Sequence, residues 1–360
     1  MEEAAATEAA KSASTTGERM KESLVHRKYV IPFLLACVIL ACNQLTGINS
    51  IIGYNATILI QAGLDDAQAH LGYVMLTVVN FVMTMAAVAL VDRKGRKFLL
   101  SLGSAGIIAS LICVGILFNQ TERLRVDCRQ SVQALVDQKS QSVSIPFNGE
   151  TAARWLAATG DAGRSIAGGP ATLTIIYSYG DFTSATNVVR SDDKTAKPLT
   201  ISRGSSLPGT RVESFFKNPL ANLEASRTAP LKIENALLTP VPDSTHGWII
   251  ATCIFIFIGF YAVGPGVCVW LALSELMPTR IRSNGMSIAL LINQAVSTTI
   301  AAVFLPAVGK HGYSTMFFIF AGCTVIYFIT AAFFLPETKG KTLEEIEEFF
   351  DKGAAGSLSQ

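Results

Sequence analysis

Six stretches of this 360-residue chain contain no Asp, Glu, Lys or Arg: residues 29–64, 67–91, 98–121, 247–274, 283–309 and 311–336. An unpaired ion in hydrocarbon is costly, and a helix needs about 20 apolar residues to cross a bilayer. Each stretch is long enough. One such run suits a buried core helix of a soluble protein, whereas six in a chain that is half hydrophobic predict a polytopic membrane protein.

Charge placement then predicts the topology. The 29 basic and 27 acidic residues nearly cancel, leaving +2 and no reason to expect a nucleic-acid partner. Basic residues gather at Lys11, Arg19, Lys21, Arg27 and Lys28, at Arg93, Lys94, Arg96 and Lys97, at Arg280 and Arg282, and at Lys339, Lys341 and Lys352. By the positive-inside rule both termini are cytoplasmic. The expected plan is a cytoplasmic linker or tail 1–28, transmembrane helices one to three in 29–121, an extracytoplasmic insertion 122–246, helices four to six in 247–336, and a cytoplasmic tail 337–360. Residues 1–28 lack the apolar core of a cleavable signal peptide.

The insertion is long enough to fold. Cys128–Asp137 and Glu150–Ala158 have helix-like apolar spacing, and Thr172–Tyr179 is rich in β-branched and aromatic residues. Ser, Thr, Ala and Gly dominate 180–210. A small α+β domain and a partly disordered loop are the two readings. Cys128 is the insertion's one cysteine, so no disulfide can form within it. Asn119-Gln120-Thr121 fits a glycosylation acceptor but abuts the membrane.

Polar groups inside hydrocarbon must find partners, which makes the amides of these runs candidate solute ligands. The first run contains Asn43-Gln44-Leu45-Thr46-Gly47-Ile48-Asn49 and then Tyr54 and Asn55. In a continuous helix Gln44 and Asn49 stand about one and a half turns apart, offset around the axis, and Gly47 can relax the helix between them. The second run adds Asn80, the fifth Asn293, Gln294 and Ser297, and the fourth Gly264-Pro265-Gly266 followed by Trp270. A proline between glycines weakens a helix. An indole offers an apolar face and one donor, as a sugar ring requires. On these residues alone the amides equally fit helix-to-helix hydrogen bonding, and the indole equally fits packing or an interface. At the cytoplasmic ends, Asp92-Arg93-Lys94-Gly95-Arg96-Lys97, Glu275 with Arg280 and Arg282, and Pro336-Glu337-Thr338-Lys339-Gly340 can form interlocking ion pairs or serve as topology-setting charge.

Taken in order and spacing, these segments, together with Lys341-Thr342-Leu343-Glu344-Glu345-Ile346, resemble the sugar porter family of the major facilitator superfamily over residues 22–350 apart from the insertion. They look like its seventh to twelfth helices. The resemblance implies an all-α membrane six-transmembrane-helix bundle, half of a major facilitator fold, with the insertion between the ninth and tenth family helices. It implies sugar contacts at Gln44, Asn49, Asn80, Trp270 and Asn293, with Asn43 beside them, an outer gate at Tyr54, a helix break at Gly264, Pro265 and Gly266, and an inner gate of Asp92, Arg93, Arg96, Glu275, Arg282 and Glu337. This chain departs from the family pattern in three places. Asn43 replaces a Gln, Ala262 stands where glucose carriers often place Glu, and Val267 and Cys268 replace the usual Pro and its neighbour, which predicts a milder break.

The expected activity is transport of a neutral hexose, pentose or inositol by alternating access, as symporter or uniporter, with no cofactor, metal or catalytic residue. Such carriers have two bundles, so the expected partners are the lipid bilayer, the sugar or polyol, an amino-terminal six-helix half or a second copy, and protons. Residues 1–28 resemble the family's central cytoplasmic linker, and a truncated or split gene is the leading expectation, with a homodimer of half-transporters as the alternative. A transport-incompetent sugar sensor or interaction protein using the insertion is the rival reading. A membrane enzyme is disfavoured because His26, His70, His246 and His311 are scattered and neither HExxH nor GxSxG occurs.

Overall fold

The computed structural model describes residues 26–352, apart from 161, 162, 164–167, 195, 219 and 220. The expected tail segments 1–25 and 353–360 lie outside the described residues. Among the described residues, five helices are long and apolar enough to cross a membrane: Arg27–Gly53, Asp66–Lys94, Arg96–Glu122, Ser244–Leu276 and Arg282–Phe334.

The sequence predicts six separate helices, and the difference lies in the fifth. Its two charge-free runs are parted by Lys310 alone, too little chain for a loop. Helical hydrogen bonding instead runs on to Gly312, where φ 90° and ψ 165° are non-helical. Straight, this helix would be about 80 Å long, against roughly 30 Å of hydrocarbon.

Glu122, at the end of the third long helix, stabilises that bend. Its carboxylate accepts from the Tyr313 N–H, from the Ser314 N–H at 3.2 Å and from the Ser314 hydroxyl. The first N–H groups of a new helical segment have no partner within it, and a carboxylate satisfies them while complementing the helix dipole. A Cβ at residue 312 would lie 2.5 Å from Glu122 Oε2, so the position needs glycine for space as well as for φ.

Two apolar clusters fill the membrane region. One holds Ile51, Leu59, Phe118, Phe257, Phe304 and Phe317 among others, and the other Leu40, Leu99, Cys268, Leu276, Tyr327 and Ile346. The third and fourth long helices approach through glycines, since a Cβ on Gly103 would meet Gly264 Cα at 2.8 Å.

Between the third and fourth long helices the chain forms strands β1 Val126–Asp127, β2 Val143–Ile145, β3 Ala171–Tyr179, β4 Phe182–Ala185, β5 Val189–Arg190, β6 Leu199–Ile201 and β7 Leu231–Pro240. β3 is the centre of a sheet ordered β1-β7-β3-β4, with β5 also paired to β3, while β2 and β6 pair separately. Short helices Arg129–Gln133 and Gly149–Ala158 lie where apolar spacing suggested helices. This region has a core of its own that includes Trp155, Tyr179, Ile175 and Leu238.

Glu122→Ala should lower the stability of the detergent-purified chain by about 1–3 kcal/mol, the cost of leaving buried donors unpaired. Thermal unfolding measures this; an unchanged midpoint would show that the carboxylate does not hold the bend.

Candidate functional site

The first long helix breaks at Gly47, where φ is 80°, and resumes at Ile48. A side chain there would strain the backbone and place its Cβ 2.3 Å from the Phe320 ring. The break corrects the expected offset of Gln44 and Asn49. Residues 44 and 49 no longer belong to one helical register, and Asn49 Nδ2 donates to Gln44 Oε1 at 2.8 Å.

Two side chains of the fifth long helix join them. Gln44 Nε2 donates to Asn293 Oδ1 at 3.0 Å, and Asn49 Nδ2 donates to Ser297 Oγ at 2.7 Å. Gln44, Asn293 and Ser297 are buried while Asn49 is exposed, so the cluster opens on one side. The Asn49 amide oxygen and the Asn293 amide nitrogen make no hydrogen bond among the described residues, which leaves both accepting and donating capacity unused. Asn43, 1% exposed, lies beside the Tyr261 hydroxyl, and its Oδ1 makes no hydrogen bond among the described residues. In chain order this polar group falls at the seam of the two apolar clusters: Cys42 belongs to one and Ile48 to the other, as do Ala289 and Phe304.

Asn80 and Trp270 stand apart from that network. Asn80 is half-buried, and its carbonyl accepts from Thr84 Oγ1 at 2.7 Å. Trp270 is 42% exposed, and neither side chain hydrogen-bonds the amide cluster. The break expected at Gly264, Pro265 and Gly266 is a widened turn instead: Ala262–Gly266 is π-helical, and the helix continues at Val267. A π turn absorbs the missing proline N–H without unwinding the chain.

Tyr54 interrupts the regular helix between Ile48–Gly53 and Asn55–Gln61, and its ring stacks on Phe304 with centroids 5.3 Å apart. Phe304 continues the stack to Phe320 at 6.1 Å and meets Tyr313 edge-on at 6.3 Å.

At the opposite end, Arg96 is the hub of the ion-pair group. Its guanidinium lies 3.0 Å from Glu275 and 3.4 Å from Asp92. Its backbone N–H donates to Glu337 Oε1 at 3.0 Å, an oxygen that also accepts from the Lys339 N–H at 3.1 Å. Two expected members make no carboxylate contact among the described residues. The Arg93 side chain is exposed, and the residue contributes only its carbonyl, to Lys339 Nζ at 2.8 Å. Arg282 donates to the Met277 carbonyl at 3.2 and 3.1 Å rather than to a carboxylate, because the turn before its helix brings that carbonyl within reach. Ser297 and Lys339, named in the sequence only as members of polar segments, gain specific partners here, Asn49 and the Arg93 carbonyl.

Comparison with known proteins addresses the family and the fold. The sequence model of the family described as "Sugar (and other) transporter" matches residues 1–132 and 233–350. The mouse (Mus musculus) solute carrier family 2, facilitated glucose transporter member 12, is 26% identical over 310 residues, covering 84% of this chain and 44% of that protein. Inositol transporter 4 of Arabidopsis thaliana is 27% identical over 320 residues, covering 88% and 48%. The chain thus spans about half the length of the curated relatives it matches. A crystal structure of a D-xylose-proton symporter shares the fold with a TM-score of 0.50 at 15% identity, over 92% of this chain and 49% of that one.

Gly47→Ala should destabilise the chain by about 2–4 kcal/mol, from the left-handed backbone and the overlap with Phe320. Gly53→Ala, which meets nothing within 4 Å, should shift stability by no more than about 1 kcal/mol. Thermal unfolding of the two variants side by side checks the contrast; equal effects would contradict the assigned role of Gly47.

Proposed function

The chain belongs to the Sugar (and other) transporter family, the sugar porters of the major facilitator superfamily, and from that membership we propose that it is the carboxy-terminal six-helix half of a carrier for a neutral sugar or polyol. The observation that carries the reading is the cluster of Gln44, Asn49, Asn293 and Ser297, aligned in one hydrogen-bonded chain and open at Asn49. Hydroxyls donate and accept alike, so a hexose, pentose or inositol can engage both the free amide oxygen of Asn49 and the free amide nitrogen of Asn293. Charged solutes would find no counter-ion there.

In this reading the fifth long helix crosses twice, turning at Gly312, so that the bundle makes six crossings. Both termini are cytoplasmic and the insertion is outside, as the basic residues near 94, 280 and 339 favour. Trp270 and Asn80 face the cavity that a second bundle would close. Tyr54 and its stack form the outer gate, and Asp92, Arg96, Glu275 and Glu337 tie the cytoplasmic helix ends while the site is open outward. Both contacts are made together in this structure, and rocking of the two bundles would open one or the other in turn with no covalent step. The relatives named above as glucose, inositol and proton-xylose transporters support this substrate class and leave proton coupling to be determined by the amino-terminal half.

The insertion's own core favours a second reading, a sensor that binds sugar without moving it. One experiment separates the two. In proteoliposomes, the chain paired with an amino-terminal half from the family should take up labelled hexose, pentose or myo-inositol, and Gln44→Ala or Trp270→Ala should each lower uptake about tenfold. Uptake unchanged in both variants overturns the site. Binding without flux favours the sensor, and counterflow by the chain alone favours a homodimer of halves.

A further inference from the structure

Among the contacts between the insertion and the membrane helices, two bear on the elements that carry Tyr54 and Phe304. The first is Arg190, on β5. Its Nη1 donates to the carbonyls of Gly63 at 3.1 Å and Leu64 at 2.9 Å, just beyond the end of helix Asn55–Gln61. Gly63 and Leu64 follow the helix's last turn, and the guanidinium satisfies their carbonyls. Asp192 fixes the guanidinium from behind, accepting from Nε at 2.9 Å and Nη2 at 2.8 Å. The pairing holds the Asp192 carboxyl below its usual range, so the clamp is fully charged at neutral pH. Asp65 and Asp193 add attraction to the same guanidinium.

The second contact is Ile176, on β3. Its side chain is fully buried and occupies the space over Gly309, where a Cβ would lie 2.5 Å from Ile176 Cδ1. Gly309 follows Phe304 by five residues on the same helix. The two contacts are rigidly joined, because Arg190 pairs with Thr172 in the β3–β5 ladder and Ile176 lies four residues along β3. One sheet therefore grips the helix that begins beside Tyr54 and the helix that carries Phe304.

We propose that the insertion is a two-point clamp on the outer aromatic stack, with Arg190 as the positioning residue that sets how readily Tyr54 separates from Phe304. The inference rests on the reading of Tyr54 as the outer gate. Helix Asn55–Gln61 is only about 10 Å long, so a restraint at Gly63 and Leu64 reaches Tyr54 with little slack. Asp192 is half-exposed, and removing its partner does not strand a buried charge.

The test uses the full chain in detergent without sugar, so it stands or falls separately from transport. Arg190→Gln should speed amide exchange in residues 58–64 about tenfold, leave β3 and β7 unchanged, and raise hydroxyl-radical labelling of Tyr54 about twofold. Lys232→Met, which breaks the exposed Lys232–Glu234 pair elsewhere on the insertion, should change neither readout at 58–64 nor at Tyr54. Unchanged exchange at 58–64, or faster exchange there without a change at Tyr54, overturns the clamp. Equal acceleration through β3 and β7 overturns it too, since Arg190 would then serve only the insertion's own folding.

Discussion

An amide in hydrocarbon has no water to turn to, and each one must be satisfied by another protein dipole or by a guest. The membrane region is organised around that constraint. Gln44, Asn49, Asn293 and Ser297 satisfy part of one another's capacity, while Asn43, Asn55 and Asn80 stand outside that network. The remaining capacity includes the Asn49 oxygen, on the exposed member of the group, and the Asn293 amide nitrogen. In the proposed function, a neutral polyol engages these groups without bringing a charge into the bilayer.

A few backbone departures create this arrangement. Gly47 resets the helical register so that Asn49 meets Gln44, Gly312 turns the longest helix with one residue, and the π turn at Ala262–Gly266 accommodates a proline while keeping the fourth helix close to Gly103. Each departure is held from outside its own helix: Gly47 against the Phe320 ring, Gly312 against Glu122, Gly264 against the third long helix. These contacts join local strain to tertiary packing. They also explain why the ends of the bundle can be closed by different chemistries, an ion-pair group about Arg96 at one end and stacked rings about Tyr54 at the other.

Charge exclusion is a local property, so the apolar runs and the membrane class were legible in the residues, and the order of motifs was enough to identify the family. The β-branched run at Thr172–Tyr179 likewise coincides with β3, whose pattern needs no distant information. Contacts across the chain were not legible. Gln44 and Asn49 were expected to be offset because helical periodicity assumes continuity, and one left-handed glycine cancels it. Arg93 and Arg282 carry the same charge as Arg96, yet only Arg96 reaches a carboxylate, a matter of where each helix ends. Glu122 and Arg190 went unremarked because their partners are 191 and 126 residues away. β7 was missed because Lys232, Glu234 and Asn235 interrupt its apolar alternation.

The most direct test of the central claim is equilibrium binding. Heat stability of the chain, assembled with an amino-terminal half and titrated with glucose, xylose, myo-inositol and the anion glucuronate, reads it without requiring flux. Stabilisation by at least one neutral polyol, absent with glucuronate and lost in Asn293→Ala, is the result expected of an uncharged amide site. Stabilisation by glucuronate alone, or a polyol effect that survives Asn293→Ala undiminished, would contradict it.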